Sequence, residues 1–197
     1  EYIDIAKHLN PKIIVLENVK GIVTSSNKAS DTIMREFEKI GYKMQMKVLK
    51  ASDYGVPQKR ERAIFIGTRI DVPVSFPKPI YGPGNYITTA DAIGDLVGMK
   101  PSAEFCHVPA NHRKEIVERF KEMEEGQSLY ATRNDSCRKL KWHEPSFTVK
   151  DNHGNCAIHP IENRSLTSRE LARLQSFPDD FDFSHVEKKY QLRQIGN

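Results

Sequence analysis

A short apolar run, Ile13-Ile14-Val15-Leu16, stands directly behind the breaker Asn10-Pro11, with a helical pattern on either side of it. Before it, Tyr2, Ile5, Ala6 and Leu9 recur at helical spacing. After it, Ser30 is placed to cap a second helix whose inward face is Ile33, Phe37 and Ile40 and which Gly41 closes. A run this short between two helices reads as a buried parallel strand. Residues 44–49 alternate as a second strand, and residues 63–67 form a third. Helix, strand, helix, strand restricts this part of the chain to a layered α/β sheet.

From Val72 the texture changes. Pro73, Pro77, Pro79, Gly82, Pro83 and Gly84 make a cluster of breakers that marks a boundary. Beyond it the pattern is irregular apart from one helix, capped near Asn111, facing inward with Ile116, Phe120 and Met123, and ending at Gly126. Regularity returns at Thr167-Ser168-Arg169-Glu170, a capping box that opens a short helix through Leu171 and Leu174. The expected division is a partial α/β domain over 1–71, an inserted domain over 72–160 and a return to the first domain over 161–197. The first helix has no cap before it, and Gln194-Ile195-Gly196-Asn197 reads as loop, so the chain is expected to be a piece of a longer protein.

The net charge of +4 is unevenly spread: residues 1–70 and 126–150 are positive, and residues 71–125 are negative. Local positive faces suit a polyanion. No run approaches the ~18 apolar residues of a membrane span. Three cysteines without a Cys-x-x-Cys pair suit a reducing compartment, so a cytoplasmic protein is expected.

Glu17-Asn18-Val19 ends the first strand, the edge at which open α/β sheets bind ligands; the alternative is a Glu that points into solvent or caps a turn. If the period of the third strand extends backward, Gln58, Arg60 and Arg62 share one face, a donor array suited to carbonyl or phosphate oxygens; the alternative is a solvated charge run. His153, Cys156 and His159 are spaced like metal ligands, but no fourth donor follows at a convincing offset, and no metal is expected. Tyr130, Trp142 and Phe147 are interleaved with Arg133, Arg138, Lys139, Lys141 and Lys150, a pattern that can hold nucleic acid or form a packed hairpin with a charged rim.

Taken in order, these segments resemble the DNA (cytosine-5)-methyltransferases. Glu17-Asn18-Val19 looks like that family's sixth block, and residues 52–62 (SDYGVPQKRER) are similar to its eighth. Residues 164–178 (RSLTSRELARLQSFP) resemble the ninth, and residues 194–197 the start of the tenth. The segment between the eighth and ninth matches the position of the target-recognition domain. The resemblance implies the C-terminal half of a Rossmann-like, S-adenosylmethionine-dependent methyltransferase sheet, carrying an inserted, mostly irregular or β target-recognition domain.

The activity it implies is methyl transfer from S-adenosylmethionine to C5 of a cytosine flipped out of double-stranded DNA. The setting would be a bacterial restriction–modification system or a lone modifier, acting at the nucleoid as a monomer. Glu17 would hold cytosine N3 and the exocyclic amine, best if burial raises its pKa, and Arg62 would hold O2. Gln58 and Arg60 would belong to the substrate site, bracing the pocket or the nearby backbone, Arg138, Lys139 and Lys141 would meet DNA, and Asn197 would belong to the cofactor pocket. Two departures matter. No Pro-Cys pair, the family's nucleophile, occurs anywhere in the sequence, and the glycine-rich cofactor loop is absent too. This chain alone is therefore expected to be inactive. Competing expectations are a non-catalytic DNA-binding module and the family's RNA-methylating branch.

Overall fold

The computed structural model describes residues 2–26, 29–130, 137–150 and 157–196. The predictions on Arg133, His153, Cys156 and Asn197 lie outside these described residues. The chain forms two compact units, Glu1–Ala51 with Glu61–Ile80, and Ser52–Arg60 with Tyr81–Asn197.

The first unit is built on α1 (Tyr2–Leu9), β1 (Ile13–Val19), α2 (Gly21–Thr24), α3 (Ala29–Glu38), β2 (Lys43–Lys50) and β3 (Glu61–Thr68). The sheet order is β1-β3-β2, with β3 antiparallel to both neighbours. Strands β1 and β2 therefore run parallel, as a helical crossover dictates, but leave a slot one strand wide. Strand β3 enters that slot from the opposite direction. This corrects the reading of β1 as a buried parallel strand: its ladder is antiparallel, and only one of its faces is covered. Ile14 is 5% exposed, whereas Ile13, Val15 and Val19 are 50%, 59% and 54% exposed.

The covered face meets Ala6, Phe37 and Tyr42, with Ile3, Ile33, Ile40 and Met44 packed alongside. Phe37 lies edge-on to both Tyr2 and Tyr42. Tyr42 also donates its hydroxyl to Pro11 O at 2.6 Å, fastening β2 to the turn before β1. Ser30 lies buried within the first turn of α3 rather than capping it. Gly41 (φ 90°) closes that helix in the left-handed conformation a side chain disfavours.

The second unit centres on α6 (Ser168–Leu174), whose Leu171, Ala172 and Leu174 pack with Ile93, Leu140, Val149, Leu166, Phe183 and Ile195. The expected capping box is present: Glu170 N donates to Thr167 Oγ1, and Thr167 N donates to Glu170 Oε2 at 2.7 Å. Helix α5 (Lys114–Glu122) has Arg113, not Asn111, at its N-cap, and its Phe120 and Met123 pack on Ile158 with Ile116 alongside.

Two helices depart from the expectation. One is α4 (Thr89–Ile93), fixed by a Thr88–Asp91 capping box within the stretch read as irregular. The other is α7 (Lys188–Gly196), which takes in Gln194, Ile195 and Gly196 of the stretch read as terminal loop. Burial of Ile195, 1% exposed, outweighs the loop chemistry of the Gly-Asn end. A two-residue parallel pair, β4 (Arg138–Lys139) with β5 (Ala157–Ile158), is the second unit's small sheet.

Gly67 lies in β3 between Ile14 of β1 and Met44 of β2. A Cβ there would overlap Met44 Sδ and stand 2.8 Å from Ile14 Cγ1. Gly67→Ala should destabilise the first unit by about 1–3 kcal/mol through overpacking. An unchanged urea midpoint would contradict this account of the sheet.

Candidate active site

The β1–β3 register sets Glu17 opposite Ile64 and Val19 opposite Arg62. Glu17 and Arg62 are thus diagonal neighbours on the same, uncovered face of the sheet. Arg62 Nε lies 2.6 Å from Glu17 Oε1, and Arg62 Nη1 donates to Glu61 O at 2.9 Å. Glu61, on the other face, pairs with Lys20 at 2.9 Å. Val15, Val19, Ile64 and Ile66 give the pair an apolar surround. The result is a carboxylate and a guanidinium held edge to edge on an apolar floor, complementary to a flat ring that carries both donors and acceptors. The Glu17 side chain is 53% exposed, so the burial that its proposed role calls for is not present in this chain.

Gln58 and Arg60 belong to the second unit, and the strand period does not reach back to them: β3 begins at Glu61. A parallel bridge joins Gln58 to Ser146, with Lys59 N donating to Ser146 O and Ser146 N to Pro57 O. Gln58 is fully buried. Its Nε2 donates to Leu174 O at 3.2 Å and Gln175 Oε1 at 2.9 Å, and its Oε1 accepts from Val149 N at 2.9 Å. Arg60 Nη1 donates to Val149 O at 3.4 Å. Both side chains hold backbone groups of the second unit.

The three neighbouring cations part company. Arg138 is exposed, with Nε donating to Ser128 Oγ at 3.0 Å. Lys141 is half-exposed and pairs with Glu144 at 2.7 Å, which Lys59 also holds. Lys139 is 8% exposed, and its Nζ donates to Phe120 O at 3.2 Å and Met123 O at 3.1 Å. Its charge caps the C-terminal carbonyls of α5 rather than facing a polyanion.

A buried network that the sequence reading missed lies before and within α6. Arg164 grips Glu170 through two hydrogen bonds, Nη2 to Oε1 at 2.6 Å and Nη1 to Oε2 at 2.8 Å, and also pairs with Glu162. Burial alone would push the Glu170 carboxyl up, but the Arg164 guanidinium holds it below the usual range. His159, Glu162 and Glu170 bring ligand-type atoms within 4.8 Å of one another. However, Arg164 already neutralises the carboxylates. His159 Nδ1 accepts from the backbone N–H groups of Ile161 and Glu162, which leaves the ring proton on Nε2, 3.9 Å from Glu170 Oε1. That nitrogen has no lone pair to offer a metal. His107 and His112 bind the same stretch, through Thr167 Oγ1 and through Ser165.

A family model described as C-5 cytosine-specific DNA methylase matches residues 1–197. Among relatives, the type II methyltransferase M1.HphI of Haemophilus parahaemolyticus is 36% identical over all of this chain and 55% of its own length. M.FnuDI of Fusobacterium nucleatum is 34% identical over all of this chain and 63% of its own. The chain thus spans little more than half to under two thirds of these relatives. A crystal structure described as a prophage-encoded DNA modification methyltransferase of E. coli superposes with a TM-score of 0.76 at 24% identity, covering 100% of this chain and 67% of that one. The S. pombe Dnmt2 methyltransferase superposes with a TM-score of 0.57 at 14% identity, covering 98% and 64%. Both likenesses establish the fold.

Burial pushes the three histidines His107, His112 and His159 below the usual value of 6.5. Each therefore gains a proton less readily in the folded chain than in the unfolded one. Their contribution to stability is complete above about pH 6.5 and is lost as pH falls from there toward the folded values. Urea unfolding of the second unit should weaken between pH 7.5 and 5.5. His159→Asn, which keeps an acceptor for the two N–H groups but cannot titrate, should flatten that slope. An equal slope in the variant would remove His159 from this account.

Proposed function

The chain belongs to the C-5 cytosine-specific DNA methylase family, and from that membership we propose that it forms the base-holding and target-reading part of an enzyme that methylates cytosine C5 in duplex DNA. The observation that carries the proposal is the Glu17–Arg62 pair at 2.6 Å. Glu17 offers acceptors to the exocyclic amine and can share a proton with N3; Arg62 offers donors to O2. N3 and O2 are neighbouring positions, so a single ring edge spans both groups once the ion pair opens to admit it. Nucleophilic addition at C6 places negative charge on that same edge, where these two residues would absorb it. C5 is inaccessible inside a duplex, so the base is read after flipping.

S-adenosylmethionine supplies the methyl group in this proposal. Of its pocket the chain offers Asn197, outside the described residues, and no glycine-rich loop. The described residues therefore do not make a cofactor site. The sequence also contains no Pro-Cys pair, so the nucleophile is not among these residues. Residues 72–160 are proposed to read the duplex, with Arg138 and Lys141 on phosphates. No helix of the described residues is long and apolar enough to cross a membrane. Action at the bacterial nucleoid as a monomer, within a restriction–modification system, completes the proposal.

The 197-residue chain, incubated with DNA and labelled S-adenosylmethionine, should give background counts. It should nevertheless bind duplex DNA weakly and with a steep salt dependence. Replacing Arg138 and Lys141 by Ala should weaken binding and reduce the slope of log K against log salt by about 1–2. Lys139→Ala should instead lower the melting temperature and leave that slope alone. Turnover by the chain itself, or a Lys139→Ala variant that behaves like the surface pair, would contradict the assignment.

A further inference from the structure

Four segments far apart in sequence meet through two side-chain amides in the second unit. Val149 N–H donates to Gln58 Oε1, Gln58 Nε2 donates to Gln175 Oε1 and Leu174 O, and Gln175 Nε2 donates to Ile195 O at 2.7 Å. The orientation of each amide is forced. A flipped Gln58 would set its NH2 against the Val149 N–H and its oxygen against the Leu174 carbonyl, and a flipped Gln175 would oppose like groups at both ends. The four bonds therefore form one directional chain, from the Val149 N–H through the two amides to the Leu174 and Ile195 carbonyls. Gln58 is fully buried, so a broken link there has no water to replace it.

We propose that Gln175 is a positioning residue for the DNA-reading segment: through Gln58 it fixes the backbone at Val149, and through its own amide it fixes the last turn of α7 at Ile195. This rests on the proposed reading of residues 72–160 as the segment that reads the duplex. Val149 immediately precedes Lys150, and Arg60 Nη1 holds the Val149 carbonyl from the other side of the same peptide group pair. Ile195 stands two residues before Asn197, the position that the family resemblance assigns to the cofactor pocket. One amide pair thus registers the segment that meets DNA against the end of α7. An apolar pair of equal volume would fill the space without fixing the register, because only directional donors and acceptors distinguish one backbone placement from another.

The test is amide hydrogen exchange and duplex DNA titration on this chain. In Gln175→Met, at a position whose side chain bonds Gln58 and Ile195 and neither Val149 nor a basic residue, the Val149 amide should exchange about fivefold faster, the worth of one buried hydrogen bond. Leu171 serves as the reference amide and should not change. Duplex affinity should fall about fivefold with the salt slope unchanged. Gln175→Glu keeps the acceptor for Gln58 and loses the donor to Ile195. Its second carboxylate oxygen opposes the Ile195 carbonyl, so the Ile195 end should loosen and its carbonyl resonance shift, while the Val149 amide exchanges as in the parent. Should Gln175→Met fail to fold, Gln175→Asn, too short to reach Gln58, carries the same expectation. A Val149 amide that exchanges at the parent rate overturns the proposal. So does unaltered duplex affinity in a folded variant, since a merely structural role lowers the melting temperature and nothing else. A parent chain that binds no duplex at all sinks the DNA reading instead, and the exchange data then decide the relay alone.

Discussion

The insertion of β3 between β1 and β2 is the constraint on which the first unit rests. The helical crossover from β1 to β2 sets two strands parallel, and neither has the other within hydrogen-bonding reach. Their backbone groups would go unpaired on the facing edges without a third strand. Strand β3 fills both edges at once, antiparallel to each, and Gly67 lets it approach Ile14 and Met44 closely enough to do so. The same insertion carries Arg62 to the end of β1 where Glu17 stands. The ion pair is a consequence of sheet topology; two half-exposed side chains on separate loops would contribute little and hold no fixed geometry.

The second unit relies on satisfied buried polarity. Arg164 and Glu170 are both removed from water, and each is tolerable only because the other, with the capping box, satisfies it. Three neutral histidines lend hydrogen bonds to the stretch around them, and the Gln58–Gln175 amides tie distant backbone together. Such networks specify one arrangement where an apolar core of equal volume would accept several. The proposed division of labour follows: a first unit whose open face presents the base-holding pair, and a second whose interior polar ties keep a DNA-reading surface in register.

Much of this was legible in the sequence, because period and punctuation are local. The strands β2 and β3, the inward faces of α3 and α5, and the capping box of α6 all follow from spacing. What was not legible depended on partners distant along the chain. Nothing in Ile13-Ile14-Val15-Leu16 says that its neighbour will be antiparallel, since that neighbour arrives after another strand and two helices. Arg138, Lys139 and Lys141 look alike as cations; only the C-terminal carbonyls of α5 single out Lys139. His159 was grouped with His153 and Cys156 on spacing, whereas its bonds run to Ile161 and Glu162. Gln58 was one more polar residue in a charged run until Val149, Leu174 and Gln175 were seen to surround it. The α7 end read as loop because Gly and Asn favour loops locally, and burial of Ile195 decided otherwise.

The central claim is that Glu17 and Arg62 hold one cytosine during methyl transfer. It is tested most directly by expressing the protein that carries this chain in a host without cytosine methylation and quantifying 5-methyldeoxycytidine in digested DNA by mass spectrometry. The account predicts 5-methyldeoxycytidine with the parent sequence and a loss on the order of a hundredfold or more in initial rate with Glu17→Gln, the cost of removing one group that stabilises developing charge. Folding and duplex affinity should be retained in that variant. Glu17→Gln protein that methylates at the parent rate would contradict it.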